Sequence, residues 1–283
     1  MSTFGSERSV GELLAIAVDA ATDAARVIQA SFGHREGLVW EEKGSADFVT
    51  QVDRDAEGAI RRTVTARCPE ATIVGEELSP DGSPGAGISF IVDPLDGTTN
   101  FLHGYPEFAV SIGVMVGPRL VAGVVRNLTR DETFTATRGG GAFVNGAAIS
   151  VSRELDPSRA LIGTGFPFKR HDLLPEYVAQ FVEVSRHTAG IRRAGSAALD
   201  LTNLACGRFD GFWELVLAPW DVAAGILIVR EAGGIVTDLA GETKTISHGP
   251  VVAGNADIHA WLLRTVGDAK SPAAYIMKTR LIT

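Results

Sequence analysis

Leu13, Ile16, Ala17, Ala20, Ala24, Val27 and Ile28 recur at three- and four-residue intervals, the spacing of one helix face, and predict an amphipathic helix over about 10–31. A second helical pattern runs over 53–67, with Ala56, Ile60 and Val64 on one face and Pro69 barring its continuation. The middle of the chain changes period. Short apolar runs at 72–74 and 88–92 each end abruptly in acidic residues. From Phe108 to Ser152, β-rich segments alternate with the turn signals Gly117-Pro118, Arg130-Asp131, Gly139-Gly140-Gly141 and Asn145-Gly146, the pattern of an antiparallel meander.

After Leu161 helical stretches near 173–187, 196–206 and 219–232 alternate with strands near 209–215, 235–238 and 250–253, which predicts a layered α/β lobe. Residues 268–283 carry no clear period and read as a tail. No internal repeat and no low-complexity linker interrupts the chain.

Composition narrows the class. The 283 residues are 45% hydrophobic and 21% charged, enough apolar material for a sizeable core, which excludes disorder of the whole chain. Lys and Arg number 26 against 34 Asp and Glu, a net charge of −8, which disfavours a broad nucleic-acid surface. An anionic small substrate stays open, because divalent metals reverse the sign of a site locally. Cys68 and Cys206 are isolated, so neither a disulfide framework nor a thiolate zinc site is expected, and two lone thiols suit a reducing compartment. The start lacks a signal-peptide pattern, and no apolar run nears the ~20 residues that span a bilayer. A cytoplasmic protein is the expectation.

The candidate chemistry lies at the acidic ends of the strands. Asp93-Pro94-Leu95-Asp96-Gly97-Thr98-Thr99-Asn100-Phe101 follows the apolar run 88–92 and sets two carboxylates where a strand gives way to a turn. Pro94 fixes φ, Gly97 permits a tight approach of the backbone, and amides of Gly97 and Thr98 can face an anion. Carboxylates this close repel one another unless a cation lies between them, and oxygen ligands favour Mg²⁺, Mn²⁺ or Ca²⁺. Taken alone, this segment also reads as a helix-capping turn. Gly75-Glu76-Glu77 reads as a solvated pair, and Asp221 of Trp220-Asp221 as a helix N-cap.

Together, the three clusters resemble the signature set of the inositol monophosphatase family, lithium-sensitive, Mg²⁺-dependent phosphatases. Their order and spacing agree, as does Lys43…Asp47-Phe48-Val49-Thr50-Gln51-Val52-Asp53. Arg192-Arg193-Ala194-Gly195-Ser196-Ala197-Ala198-Leu199-Asp200 and Gly207-Arg208-Phe209-Asp210-Gly211-Phe212-Trp213-Glu214 resemble its bacterial branch, and the similarity covers about 10–265. The resemblance implies an α+β fold, the layered αβαβα sandwich of the inositol monophosphatase and fructose-1,6-bisphosphatase type. It implies an N-terminal lobe at about 1–150 with most metal ligands and the water-activating pair, and a C-terminal lobe at about 151–267 with Asp221 and the alcohol contacts.

Carried over residue by residue, the resemblance places the first Mg²⁺ on Glu76, Asp93 and the Leu95 carbonyl, and the second on Asp93, Asp96 and Asp221, with a third, weaker site near Glu76. Thr98, paired with Asp53, would orient and deprotonate the attacking water, with Glu76 counted beside them as catalytic. Amides of Gly97 and Thr98 would hold phosphate oxygens next to Asp96 and Asp221. Arg192, the Gly195-Ser196-Ala197 turn and Glu214 would contact the alcohol. Such chemistry suits a phosphate monoester dianion, whose charge repels an oxygen nucleophile until two cations ~3.5–4 Å apart offset it.

The implied activity is hydrolysis of inositol monophosphate, a small phosphorylated polyol, by a homodimer. Relatives that cleave fructose 1,6-bisphosphate, 3′-phosphoadenosine 5′-phosphate or histidinol phosphate are the alternatives. Thr99-Asn100 and Glu214 favour a polyol, since one carboxylate can accept from two adjacent hydroxyls. A regulatory protein of the transcription machinery is the competing class, which has no physical need for four converging carboxylates. Three further features read as structural: Arg138-Gly139-Gly140-Gly141 as a hairpin turn, His103 as a rim residue and Arg193 as an interface or core residue. Asn127-Leu128-Thr129 matches the glycosylation sequon but carries little weight without a signal peptide.

Overall fold

A computed structural model describes residues 8–34, 37–44 and 47–269, without the side chains of Lys43 and Asp47. Helix α1 (Val10–Phe32) starts on a reciprocal cap between Ser9 and Glu12. A short hairpin, β1 (Glu41–Gly44) and β2 (Asp47–Val49), precedes α2 (Gln51–Arg67). The α1 face that meets α2 and the sheet below is largely alanine (Ala17, Ala20, Ala21, Ala24, Ala25), which lets the helices approach closely.

Seven strands build the first sheet: β3 (Thr72–Gly75), β4 (Ile88–Asp96), β5 (Ala109–Val116), β6 (Arg119–Asn127), β7 (Glu132–Thr137), β8 (Gly141–Val144) and β9 (Ala147–Ala148). They lie in chain order, with β3 parallel to β4 and every later pair antiparallel, so the expected meander is present. Short helix α3 (Thr98–His103) links β4 to β5. The second sheet combines β10 (Leu161–Thr164), β11 (Gly190–Arg192), β12 (Gly211–Leu217), β13 (Ile235–Thr237) and β14 (Gly249–Gly254) in the order β11-β10-β12-β14-β13. Helices α4 (Leu174–Arg186), α5 (Ala197–Ala205), α6 (Pro219–Glu231) and α7 (Ala256–Asp268) complete the chain.

Five layers result. Helices α1 and α2 cover one face of the large sheet, α5 and α6 fill the space between the sheets, and α4 and α7 cover the outer face of the small one. The sequence dictates the middle layer: α6 buries Trp220 and every residue from Val222 to Val229, so it has no polar face to offer water. The α+β layered sandwich expected from the resemblance is thus the observed fold.

Two elements correct the sequence reading. Strand β4 does not stop at Val92 but runs to Asp96, with a register shift between Asp93 and Asp96 where Pro94 has no N–H for the ladder. Helix α7, capped by Asn255 and buried through Ile258, His259, Leu262 and Val266, went unread. The tail expected at 268–283 begins with the last residue of that helix, and residues 270–283 lie outside the described residues. Among the described residues no helix is long and apolar enough to cross a membrane.

Candidate active site

Three chain segments bring carboxylates together. Because β3 and β4 pair in parallel, with Gly75 opposite Val92, Glu76 emerges beside Asp93, and its N–H donates to the Val92 carbonyl at 3.2 Å. Across the next ladder Asp93 faces Ser111, whose hydroxyl donates to the Trp220 carbonyl at 3.3 Å. That contact seats the first turn of α6, and with it Asp221, against the same strand end. Glu76, Asp93 and Asp221 each offer one carboxylate oxygen, all within 4.8 Å of one another.

Such proximity is costly without a cation. Burial first, then Glu76, Asp96 and Asp221, hold the Asp93 carboxyl well above the usual carboxylate range. Burial and the charges of Glu76 and Asp96 push Asp221 up to about 8, against one stabilising N–H from Ala218 at 2.7 Å. Asp221 is thus not the N-cap of α6, which is Ala218; it stands third in the helix, bonds back to that cap and joins the cluster as well. An all-oxygen, acidic donor set of this kind fits a hard divalent cation such as Mg²⁺.

Asp96 stands beside this trio rather than in it. Its Oδ2 accepts from the Ser196 hydroxyl at 2.6 Å and the Ala198 N–H at 2.7 Å. Burial lifts its carboxyl to about 6 while those two donors oppose the rise. Ser196, expected on the alcohol, thus spends its proton on Asp96, and its oxygen accepts from Leu199 N at 3.3 Å to cap α5. Leu95 is buried, and its carbonyl lies 3.1 Å from the Thr98 hydroxyl.

The expected Thr98–Asp53 pair is present, with Thr98 Oγ1 2.9 Å from Asp53 Oδ1. Asp53 is 1% exposed and sits in the first turn of α2. Its other oxygen accepts from Thr50 N at 2.9 Å and Thr50 Oγ1 at 2.6 Å, which fixes the carboxylate and leaves Oδ1 to Thr98. Burial raises the Asp53 carboxyl and these hydrogen bonds partly offset it. Gly97, just before Thr98, has φ of +95°, and a Cβ there would lie 2.8 Å from the Glu107 carbonyl, so only glycine serves.

On the alcohol side, Glu214 lies against Gly165. Burial pushes its carboxyl up to about 8, with Arg193 and Lys169 pulling it down and Asp221 and Asp96 adding to the rise. Arg193, read from sequence as interface or core, is exposed, with its guanidinium 5.7 Å and 5.1 Å from the ring centres of Phe166 and Phe168, and its charge is felt at Glu214. Arg192 is exposed and donates at 3.0 Å to the carbonyl of its own neighbour Ile191. The Gly195-Ser196-Ala197 turn is tied to α3 by Asn100, whose amide donates to Ala194 O at 2.9 Å and Glu107 O at 2.6 Å.

Several features prove structural. The triglycine turn between β7 and β8 gives its Gly139 and Gly141 amides to Glu231, at 2.8 and 3.0 Å. His103 is exposed, its ring edge-on to Trp40 at 5.4 Å. Asn127 is buried, and its side chain accepts from the Thr129 and Arg130 amides at 3.0 and 3.2 Å. Sequence reasoning missed Thr50, Ser111 and Lys169. Only Thr50 left a local signal, the Thr-x-x-Asp spacing of a capping box.

Comparison with known proteins points one way. The family model described as the inositol monophosphatase family matches residues 9–271. Nus factor SuhB of Pseudomonas aeruginosa is 44% identical over 258 residues, spanning 90% of this chain and 95% of that protein. Inositol-1-monophosphatase of Rhizobium meliloti is 44% identical over 246 residues, 87% of this chain and 92% of that one. Among solved structures, extragenic suppressor protein suhB from Bartonella henselae superposes with a TM-score of 0.86 at 41% identity, covering 91% of this chain and 99% of that one. Inositol monophosphatase from Anabaena gives 0.82 at 35% identity, with 94% and 99% covered.

Proposed function

The chain belongs to the inositol monophosphatase family and is a phosphatase, and we propose that it hydrolyses inositol monophosphate in a Mg²⁺-dependent reaction. The observation that carries this reading is the convergence of Glu76, Asp93 and Asp221 within 4.8 Å of one another, with the Thr98–Asp53 pair, 2.9 Å apart, adjoining through β4 and α3. In this reading Glu76, Asp93, Asp221, Asp96 and the Leu95 carbonyl hold Mg²⁺. When bound, Mg²⁺ supplies positive charge that offsets the phosphate dianion and eases ionisation of water.

The chain's own residues do the rest. The Thr98 hydroxyl passes its proton to Asp53 Oδ1 and can then take one from the attacking water, the relay a threonine needs to act as a base. Thr50 keeps Asp53 oriented for that transfer by occupying Oδ2. Amides of Gly97 and Thr98 receive phosphate oxygens. Glu214, under the charges of Arg193 and Lys169, accepts hydrogen bonds from the hydroxyls of the polyol. Two copies of the chain form the working unit in this reading, which light scattering on the purified protein would show as twice the 29.8 kDa chain mass.

The test is phosphate release from inositol 1-phosphate, fructose 1,6-bisphosphate, histidinol phosphate and 3′-phosphoadenosine 5′-phosphate, with Mg²⁺ and then with chelator. Preference for inositol 1-phosphate, lost on chelation, is the expected result. Preference for another phosphate would replace the substrate. The relatives named Nus factor favour a second role, binding to the transcription machinery. A pull-down of RNA polymerase by the Asp93→Asn protein tests that role separately from turnover.

A further inference from the structure

Helix α2 carries a second buried acidic side chain, one turn beyond Asp53, that the reading above does not use. Glu57 is 0% exposed. Its Oε2 accepts the backbone N–H groups of Glu77 at 2.8 Å and Leu78 at 3.2 Å. Its Oε1 accepts Arg61 Nε at 3.0 Å and Arg61 Nη2 at 2.9 Å. The same Nη2 reaches Ser79 Oγ at 2.5 Å, and that hydroxyl donates to Ile73 O at 3.0 Å while accepting from Gly75 N at 2.9 Å. Gly75 is where the helix comes closest, since a Cβ there would overlap the Glu57 carboxylate.

We infer that Glu57 is a positioning residue that fastens the turn carrying Glu76 to helix α2. The inference rests on the reading of Glu76 as a metal ligand. Two physical points carry it. First, a fully buried carboxylate is expensive to keep, and an apolar residue would pack there at less cost, unless its charge is used. Here all its bonds are used, two of them on the backbone immediately after Glu76. Second, Glu76 is repelled by Asp93 and Asp221 before any cation arrives, so its turn must be held in place by something other than the metal. Glu57 and Asp53 lie four residues apart on one face of one helix. The helix thereby keeps the proton-relay carboxylate and the Glu76 turn in a fixed relation.

The test measures Mn²⁺ binding directly, by the loss of the free-ion electron paramagnetic resonance signal, in full-length Glu57→Gln. Glutamine has the length of glutamate but replaces one acceptor with a donor, so either the backbone amides or Arg61 lose their partner. Outer partners of metal ligands are typically worth roughly 10- to 100-fold in affinity, and a loss of Mn²⁺ affinity in that range is expected. Activity of the variant should return at high Mg²⁺ with KM for the phosphate ester unchanged, a split that a general loss of folding would not produce. Arg61→Gln, altered at a partly exposed position, should shift Mn²⁺ affinity the same way by less. Val64→Ala in the same helix should lower the melting temperature and leave affinity alone.

Wild-type Mn²⁺ affinity in folded Glu57→Gln overturns the inference, and if that variant does not fold, wild-type affinity in Arg61→Gln overturns it. Glu76→Gln separates the two levels. If it binds Mn²⁺ weakly while the Glu57 and Arg61 variants do not, only the positioning role fails. If it binds as wild type does, the ligand reading fails and the positioning role falls with it.

Discussion

Replacing Asp221 by asparagine should stabilise the metal-free protein while abolishing its activity. A carboxyl that titrates near 8 instead of 3.8 costs the folded, metal-free chain up to about 6 kcal/mol at pH 8, at ~1.4 kcal/mol per tenfold in proton affinity. Water reaches this partly exposed side chain, and its repulsion is shared with Glu76 and Asp96, so much of that figure is screened. Asparagine keeps the acceptor for Ala218 N–H but gives up ~0.3–1 kcal/mol of attraction between a charge and the α6 N-terminus. A net gain of about 2 kcal/mol remains, or roughly 4–8 °C in Tm for a chain of this size. Asp93, Asp96 and Asp221 all titrate above their ordinary range when folded, so the stability they leave intact below pH 4 is lost as pH rises, through about 6 for Asp96 and about 8 for Asp221. Scanning fluorimetry in chelator from pH 5 to 9 reads both effects. Wild type should melt progressively lower from pH 5 to about 8 and level off above it, Asp221→Asn should fall less, and Mg²⁺ should rescue only wild type. A variant that melts at or below wild type at pH 8 would refute the reasoning.

Thr98→Val should lose roughly 10²- to 10⁴-fold in kcat with little change in KM, the usual worth of a positioned proton acceptor, while Thr98→Ser keeps most of the rate; steady-state kinetics decides. Arg193→Gln should raise KM for inositol 1-phosphate about tenfold, ~1.4 kcal/mol, while Arg192→Gln leaves it unchanged, and equal effects would contradict the placement of the pair. Asn100→Ala removes the donor to two carbonyls and should cost ~1–3 kcal/mol in urea unfolding, with activity falling as the Gly195 turn loosens.

The candidate site was legible where chemistry interrupts a pattern. Apolar runs that stop at Glu76 and Asp93, and an apolar helical pattern that opens after Asp221, are anomalies visible in the sequence. Their convergence is not local. It depends on the parallel β3–β4 register and on Ser111 reaching Trp220, contacts between residues up to 109 positions apart. Glu57 was invisible because an acidic residue on an amphipathic helix normally faces water, and only its burial beneath Gly75 distinguishes it. The order of the layers could be argued from α6, which is apolar all round. The extension of β4 past Pro94 could not, because a bulge keeps a strand going through a residue that ordinarily ends one.

The most direct measurement is phosphate release from inositol 1-phosphate across a Mg²⁺ titration, for wild type and Asp93→Asn side by side. Asp93 is 2% exposed and faces both Glu76 and Asp221, so it is the residue the cluster can least do without. The account predicts saturable, chelator-sensitive turnover by wild type and none by a folded Asp93→Asn protein. Turnover that survives the chelator, or that persists in Asp93→Asn, would contradict it.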